Sequence, residues 1–228
     1  MDEGPGGPAP ASESAVRGLV TAVLFLAFFG ALWALLGLGG LKGLDSAWLT
    51  LAALIPGIAL LVGGIALRSA STKSEAEGPP PADKPGPSRA RRFGLVFGIE
   101  AGSIMVAYVV CRAATRVDLF FPAMMLIVGL HFLPLATLFD VPRYYGTGVL
   151  LCGLAIVTML VVPQRLTLDG TRIAGWSVAL CLGGALILWA VGLLQWNDGR
   201  KLIDTQAHRP ASARPLPSSR AGHATSSG

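Results

Sequence analysis

The sequence predicts an all-α, polytopic membrane protein: six transmembrane helices in a single bundle, with disordered termini. The 228-residue chain is 53% hydrophobic and only 14% charged, and its mean hydropathy of +0.62 lies outside the balance typical of soluble domains. Its charges lie between apolar blocks of about 20 residues, the length that a helix needs to cross a hydrocarbon core. A transmembrane barrel would show shorter, alternating segments instead.

Six apolar blocks have this length, and polar segments flank or separate them. We expect residues 1–17 and 198–228 to be disordered cytoplasmic tails, because Gly, Pro, Ala and Ser dominate the first and Pro, Ser and Arg the second. Residues 68–92 are predicted to be a flexible linker between helices 1–2, in 18–67, and helices 3–6, in 93–197. The predicted spans are 18–41, 46–67, 93–115, 119–139, 144–162 and 173–196.

The distribution of basic residues predicts how the helices cross the membrane. Six spans place both termini and the linker on one side, where Lys and Arg number 13, against 5 on the other side. Because basic residues favour the cytoplasmic side, both termini are predicted to be cytoplasmic. The cluster Arg89, Arg91 and Arg92 contributes to this bias, and its alternative role is contact with anionic lipids.

Glu100 and His131 are ionisable residues inside the third and fourth predicted spans. Burying a charge in hydrocarbon costs at least about 2.5 kcal/mol, so each needs a partner. Glu100 is seven residues past Phe93, and His131 is eight residues before Phe139. In antiparallel helices both residues lie about 10–12 Å from the same membrane face, at ~1.5 Å per residue. The sequence therefore predicts that the two side chains meet.

Two interpretations of this pair stay open. As a structural bridge it locks two helices together, and because such polar contacts contribute about 0.6 kcal/mol on average, the gain is specificity more than strength. As a proton or ion relay it uses the imidazole, which titrates near neutral pH, with Ser103 as the nearest hydroxyl on the same stripe of the helix. A Glu100→Gln change distinguishes the two interpretations: a relay would lose its activity while the fold persists, whereas a structural bridge would only hold the two helices together less tightly.

Small residues and prolines predict how the helices pack. Gly94, Gly98 and Gly102 repeat every four residues, so they are expected to form a helix-packing face on the third helix, about 160° from the glutamate. A helix used on two sides is expected to be central, so the bundle is predicted to be built around the third and fourth helices. Pro56 and Pro134 are expected to kink the second and fourth helices.

The sequence shows no signature of enzyme, cofactor or metal chemistry. It contains no Walker A, H-E-x-x-H or G-x-S-x-G motif, and its spans hold a single His where a helix-held haem would normally use two axial side chains. The three cysteines, at 111, 152 and 181, lie in apolar segments without metal-type spacing. We therefore expect a protein that is not an enzyme and has no cofactor, no metal and no nucleic-acid partner.

The segment from Gly129 to Gly148 reads GLHFLPLA-x-LF-x-x-P-x-YY-x-x-G. Here the chain resembles small, uncharacterised multi-pass integral membrane proteins of bacteria, of the actinobacterial type, and the resemblance covers roughly residues 93–153. It implies a location in the bacterial plasma membrane and a family without known catalysis. The usage of fourteen Arg to four Lys fits a GC-rich bacterium.

Two functions are predicted. The first is a non-enzymatic structural or accessory membrane component, whose glycine faces bind a second copy or another membrane protein. The alternative is a small transporter or channel with a proton or cation site at Glu100 and His131. An aqueous cleft that reaches the pair from the cytoplasm would favour transport, and a dry, close-packed hairpin would favour the structural role.

Overall fold

The computed structural model describes residues 10–41, 47–75, 87–168 and 171–207, and these ranges are almost entirely helical. Six α-helices follow one another, with a short 3-10 helix before the fourth and a β-hairpin before the sixth. Their bounds are Pro10–Leu38 for α1, Ala47–Glu75 for α2, Pro87–Ala113 for α3, Phe120–Phe139 for α4, Arg143–Val161 for α5 and Gly175–Ala207 for α6, with the 3-10 helix at Val117–Leu119, strand β1 at Arg165–Leu168 and strand β2 at Thr171–Ala174.

Each of the six α-helices is long and apolar enough to cross a membrane. Their apolar parts contain 19 to 31 residues, with mean hydropathies from 1.8 to 2.5. A helix satisfies its own backbone hydrogen bonds, which a segment surrounded by lipid must do. The predicted all-α, polytopic fold is therefore confirmed.

The helices extend further than the sequence predicted. The last helix continues to Ala207, eleven residues past its predicted end, because Leu202 and Ile203 pack with Trp196 against the ends of α1 and α2. Adding residues to an existing helix avoids the cost of nucleation, so α2 and α3 likewise run into the predicted linker. The remaining parts of the predicted tails and linker lie outside the described residues: 1–9, 76–86 and 208–228.

A β-hairpin replaces the loop predicted before the sixth helix. Its strands pair antiparallel, from Arg165 opposite Ala174 to Leu168 opposite Thr171. The predicted Asp-Gly turn, residues 169–170, lies outside the described residues. Since β2 occupies the start of the predicted sixth span, α6 begins only at Gly175.

The centre of the bundle is formed by α1 and α6, with α2 packed along both. Glycines on α1 and α2 make room for α6: the Trp189 indole packs directly on Gly30 and Gly57. About two helical turns further along α2 and α6, a Cβ added to Gly63 would lie 2.8 Å from Trp196 Nε1. Such close approach at small residues is how membrane helices gain contact area without a hydrophobic driving force.

The prediction that the third helix is central is wrong. Half of the most apolar 18-residue stretch of α6 is buried in the bundle, whereas no residue in the corresponding stretch of α3 is. Among the described residues α3 packs along α4 and the 3-10 helix, and no extended contact joins it to the other helices. The periodicity of α3 showed two distinctive faces, but periodicity alone does not reveal which face another helix covers.

Pro56 and Pro134 both lie inside continuous helices, α2 and α4. The Thr137 hydroxyl donates a hydrogen bond to the Pro134 carbonyl oxygen at 2.9 Å. The predicted kinks at the two prolines stay predictions.

Polar side chains join neighbouring helices at both ends of the bundle. On the side of the termini, Arg143 at the start of α5 forms an ion pair with Asp198 of α6. On the opposite side, Gln164 Nε2 donates to Asp118 Oδ2 at 2.8 Å, and Arg116 lies 3.5 Å from the same carboxylate oxygen. These contacts place α4, α5 and α6 in antiparallel order.

Candidate functional site

Glu100 and His131 meet at the contact between α3 and α4. His131 Nδ1 lies 3.4 Å from Glu100 Oε2, and the two side chains are 5% and 13% exposed, respectively. This distance is longer than that of a usual N–H···O hydrogen bond, and the contact is an ion pair only when the imidazole is protonated. The structure thus brings together the two residues that the sequence placed at one depth.

The imidazole of His131 is held firmly in place. The Phe97 ring packs edge-on against it, with 4.8 Å between ring centroids, and Phe132 packs on another side at 6.2 Å. Nδ1 faces the carboxylate and can donate to it in both the neutral and the protonated imidazole. Nε2 is buried without a hydrogen-bond partner among the described residues, so no hydrogen-bonded route leads on from it.

A cavity of about 290 Å³ borders the pair. It lies between α1, α3 and α4, and Leu188 of α6 completes its lining. Glu100 and His131 are the ionisable side chains in this lining, which is otherwise apolar. Its aromatic members are Phe25, Phe29, Trp33, Phe97 and Phe132.

The cavity lies next to a gap between α1 and α3. The two helices meet at Phe25 and Phe97, whose rings pack edge-on with centroids 5.5 Å apart. Beyond this contact Leu32 and Leu36 of α1 line the cavity and are each 41% exposed. Because both residues lie in the apolar part of α1, the exposed side of the cavity faces the hydrocarbon of the bilayer.

Ser103 does not share this cavity with Glu100. It lines a different groove along the contact of α3 with α4, together with Gly102, Ala107 and Ala123. Three residues turn an α-helix by about 300°, so Ser103 lies some 60° from Glu100 and on the other side of this contact. Ser103 thus lies apart from the cavity that Glu100 and His131 border, and the relay of all three residues stays a prediction.

The glycine face of α3 has no neighbour in the described part of the chain. A Cβ added at Gly94, Gly98 or Gly102 would meet no atom within 4 Å, and Leu95 and Ile99 beside them are exposed. The expected close packing of this face does not occur within the described part of the chain.

The segment from Gly129 to Gly148, in which the chain resembles bacterial membrane proteins, forms much of the contact between α4 and α5. The Tyr144 ring packs edge-on against Phe132, with 5.5 Å between centroids, and Gly129 contacts Gly148. No family model, curated protein or solved structure matches this chain. Glycines and aromatic residues of the segment form a contact between α4 and α5, and the resemblance stays a prediction.

The other predicted site residues are placed as follows. Arg91 and Arg92 are exposed at the start of the apolar part of α3, and the side chain of Arg89 lies outside the described ones. In the ranges that the structure describes, no group of three or more His, Cys, Asp and Glu side chains could hold a metal ion. The cysteines are free; Cys111 and Cys181 are buried, and Cys152 is partly buried.

Sequence reasoning missed several polar residues of the core, of which Gln195 has the largest side chain. Gln195 of α6 is 1% exposed and lies beside Tyr144. An amide within an apolar span is a signal that could have been found from the sequence, since buried polar groups in membranes are costly. Gln195 does not line the cavity beside Glu100.

Proposed function

We propose that this protein is a small, non-enzymatic membrane transporter whose proton- or cation-binding group is Glu100. The observation that supports this proposal is the cavity of about 290 Å³ beside the pair, which is neither the aqueous cleft from the cytoplasm expected of a transporter nor the close-packed hairpin expected of a structural bridge. Interiors of proteins pack closely, and a carboxylate that only locks α3 to α4 needs no open space beside it. An ionisable group in a membrane cavity is instead typical of a transport or binding site.

The two residues of the pair have different roles in this proposal. Glu100 keeps the larger exposed fraction and borders the cavity, so its carboxylate is the group that a proton or cation can reach. His131 is almost fully buried between Phe97 and Phe132, and its Nδ1 faces the carboxylate. His131 is therefore a positioning residue, which orients the carboxylate towards the cavity.

We further propose that the protein lies in the bacterial plasma membrane with both termini in the cytoplasm. The excess of Lys and Arg on the side of the termini supports this orientation. Arg91 and Arg92 would then lie at the cytoplasmic headgroups, where they contact anionic lipids. Fusion of green fluorescent protein or alkaline phosphatase to the C-terminus tests the orientation: fluorescence is expected, and alkaline phosphatase activity would contradict it.

Infrared difference spectroscopy on the protein in lipid tests the role of Glu100. We expect a carboxyl band that changes reversibly with pH within roughly pH 5 to 8, the range of groups poised for proton exchange, and that is missing in Glu100→Gln. Ser103→Ala is the control on the same helix and should keep the band. A spectrum that is identical in the wild type and Glu100→Gln throughout this range would overturn the proposal.

A structural or accessory component is the second candidate function. It is supported by the open face of Gly94, Gly98 and Gly102, which allows another membrane helix to approach α3 closely. Gly98→Leu should then abolish association with a second copy or a membrane partner, as measured by energy transfer between labelled chains in lipid. Gly153→Leu is the matched control, because Gly153 of α5 also has open space around it. Equal association in both variants would contradict this candidate.

A further inference from the structure

We infer that the cavity beside Glu100 binds a lipophilic organic cation, with the charge of the ligand next to the carboxylate and its apolar body against the aromatic rings. This inference rests on the proposed function of Glu100 as a cation-binding group, and it adds the chemical class of the ligand. It follows from the charge, the lining, the size and the opening of the cavity.

The charge of the lining favours a cation. Among the described residues of the lining, Glu100 is the acidic side chain and His131 the other ionisable one, and none is a Lys or an Arg. An anionic ligand would place two negative charges together in a medium that screens them poorly. A cation in the same place neutralises the carboxylate, which makes the buried charge less costly.

The chemistry of the lining favours an organic cation over a metal ion. Ca²⁺ and Mg²⁺ bind six or more oxygen atoms from protein and water. The described side chains of the cavity supply one carboxylate and one imidazole, and the rest of the described wall is apolar. An alkylated ammonium group holds its water weakly, and the faces of Phe and Trp rings attract it. The rings of Phe29 and Trp33, both in the lining, are well suited to this contact.

The size and the opening of the cavity narrow the class further. Its volume of about 290 Å³ lies at the small end of the range of ligand pockets, roughly 300–1,000 Å³, so a cation with one aromatic ring fits better than a bulky one. The exposed Leu32 and Leu36 place the opening towards lipid. A ligand that partitions into the membrane can therefore enter from the side, between α1 and α3.

Calorimetric titration of the full-length protein in lipid nanodiscs with benzyltrimethylammonium tests the inference. We expect saturable binding of one cation per chain, and binding weaker by roughly tenfold or more in Glu100→Gln, since the charge partner is lost. Ala101→Leu should also weaken it, because Ala101 lines the cavity and a larger side chain occupies part of it. Ser103→Ala lies outside the cavity and should bind as the wild type does.

The neutral isostere neopentylbenzene, which has carbon in place of the ammonium nitrogen, is the matched control ligand. It should bind at least roughly tenfold more weakly than the cation, because it lacks the charge that Glu100 attracts. Equal affinity for the two ligands, or no saturable binding of the cation to the wild type, would overturn the inference. The infrared carboxyl band of Glu100 then separates the two proposals. If the band titrates but the organic cation does not bind, Glu100 is a site for protons or inorganic cations. If the band is absent, both the proposed function and the inference about the organic cation are contradicted.

Discussion

Gly129 of α4 and Gly148 of α5 bring the backbones of two helices into direct contact. A Cβ added to Gly148 would lie 2.6 Å from the Gly129 carbonyl oxygen, and one added to Gly129 would lie 2.6 Å from Cys152 Sγ. Backbone atoms cannot move aside as the end of a flexible side chain can. The two glycines therefore fix the distance between α4 and α5, and through α4 the position of His131.

Gly148→Ala is expected to destabilise the protein. The added methyl group overlaps a backbone oxygen, and overpacking of this kind costs about 1–3 kcal/mol. Thermal unfolding in detergent, followed by circular dichroism, should show a lower midpoint. The matched control is Gly153→Ala on the same helix, where the new methyl group meets no atom within 4 Å. An equal midpoint for the two variants would show that the helices do not cross at Gly148.

Gly63→Leu is expected to separate α2 from α6. A Cβ at this position would already lie 2.8 Å from Trp196 Nε1, and the rigid indole is itself packed between helices. We expect the free energy of unfolding to fall by roughly 1–3 kcal/mol, which thermal unfolding in detergent, followed by circular dichroism, would show as a lower midpoint. Gly98→Leu, on the open face of α3, should leave the monomer as stable as the wild type. A destabilised Gly98→Leu monomer together with an unaffected Gly63→Leu would contradict the observed packing.

Thr115→Gly is expected to stabilise the turn after α3. Thr115 has φ of 56°, in the left-handed region that a β-branched residue rarely adopts. The Arg116 N–H donates to the Cys111 carbonyl oxygen at 2.9 Å, and the Thr115 N–H donates to the Arg112 carbonyl oxygen at 3.1 Å. This pair of hydrogen bonds closes the end of α3 and requires the left-handed conformation at Thr115. Glycine removes a strain of about 1 kcal/mol. Thr115→Gly should therefore raise the midpoint of thermal unfolding. Ala114→Gly, one residue earlier, is the control and should not raise it. If both variants change the midpoint equally, Thr115 is not strained.

Asp198→Asn is expected to have only a small effect. The ion pair with Arg143 is partly exposed, with side chains 34% and 48% accessible, and pairs of this kind contribute up to about 1 kcal/mol. A double-mutant cycle with Arg143→Gln, based on unfolding midpoints at low and high salt, measures the interaction. The coupling should fall as salt is added. A coupling that is several times larger and independent of salt would indicate a pair shielded from water.

The identity of the fold was largely determined by the sequence. Six apolar stretches of suitable length dictate six helices, because a backbone in lipid must form its own hydrogen bonds. The equal depth of Glu100 and His131 was also predictable from their distances to the ends of their spans, but only the packing decided that both side chains face the contact between α3 and α4. The helical extension to Ala207 was not predicted, because it packs on residues far away in the sequence, and the hairpin before α6, whose pairing is local, was expected to be a loop.

The packing of the helices was decided only by the tertiary structure. Gly94, Gly98 and Gly102 have the regular spacing of a packing face and are uncovered by the described residues, whereas Gly129 and Gly148, which belong to no such repeat, bring two helix backbones into contact. All faces of a membrane helix are apolar, so hydrophobic periodicity, which orients helices in soluble proteins, carries little information here. For the same reason the cavity beside Glu100 could not be found from the sequence: it exists because α3 contacts α4 and leaves a gap beside α1, and that gap depends on how side chains of separate helices fit together.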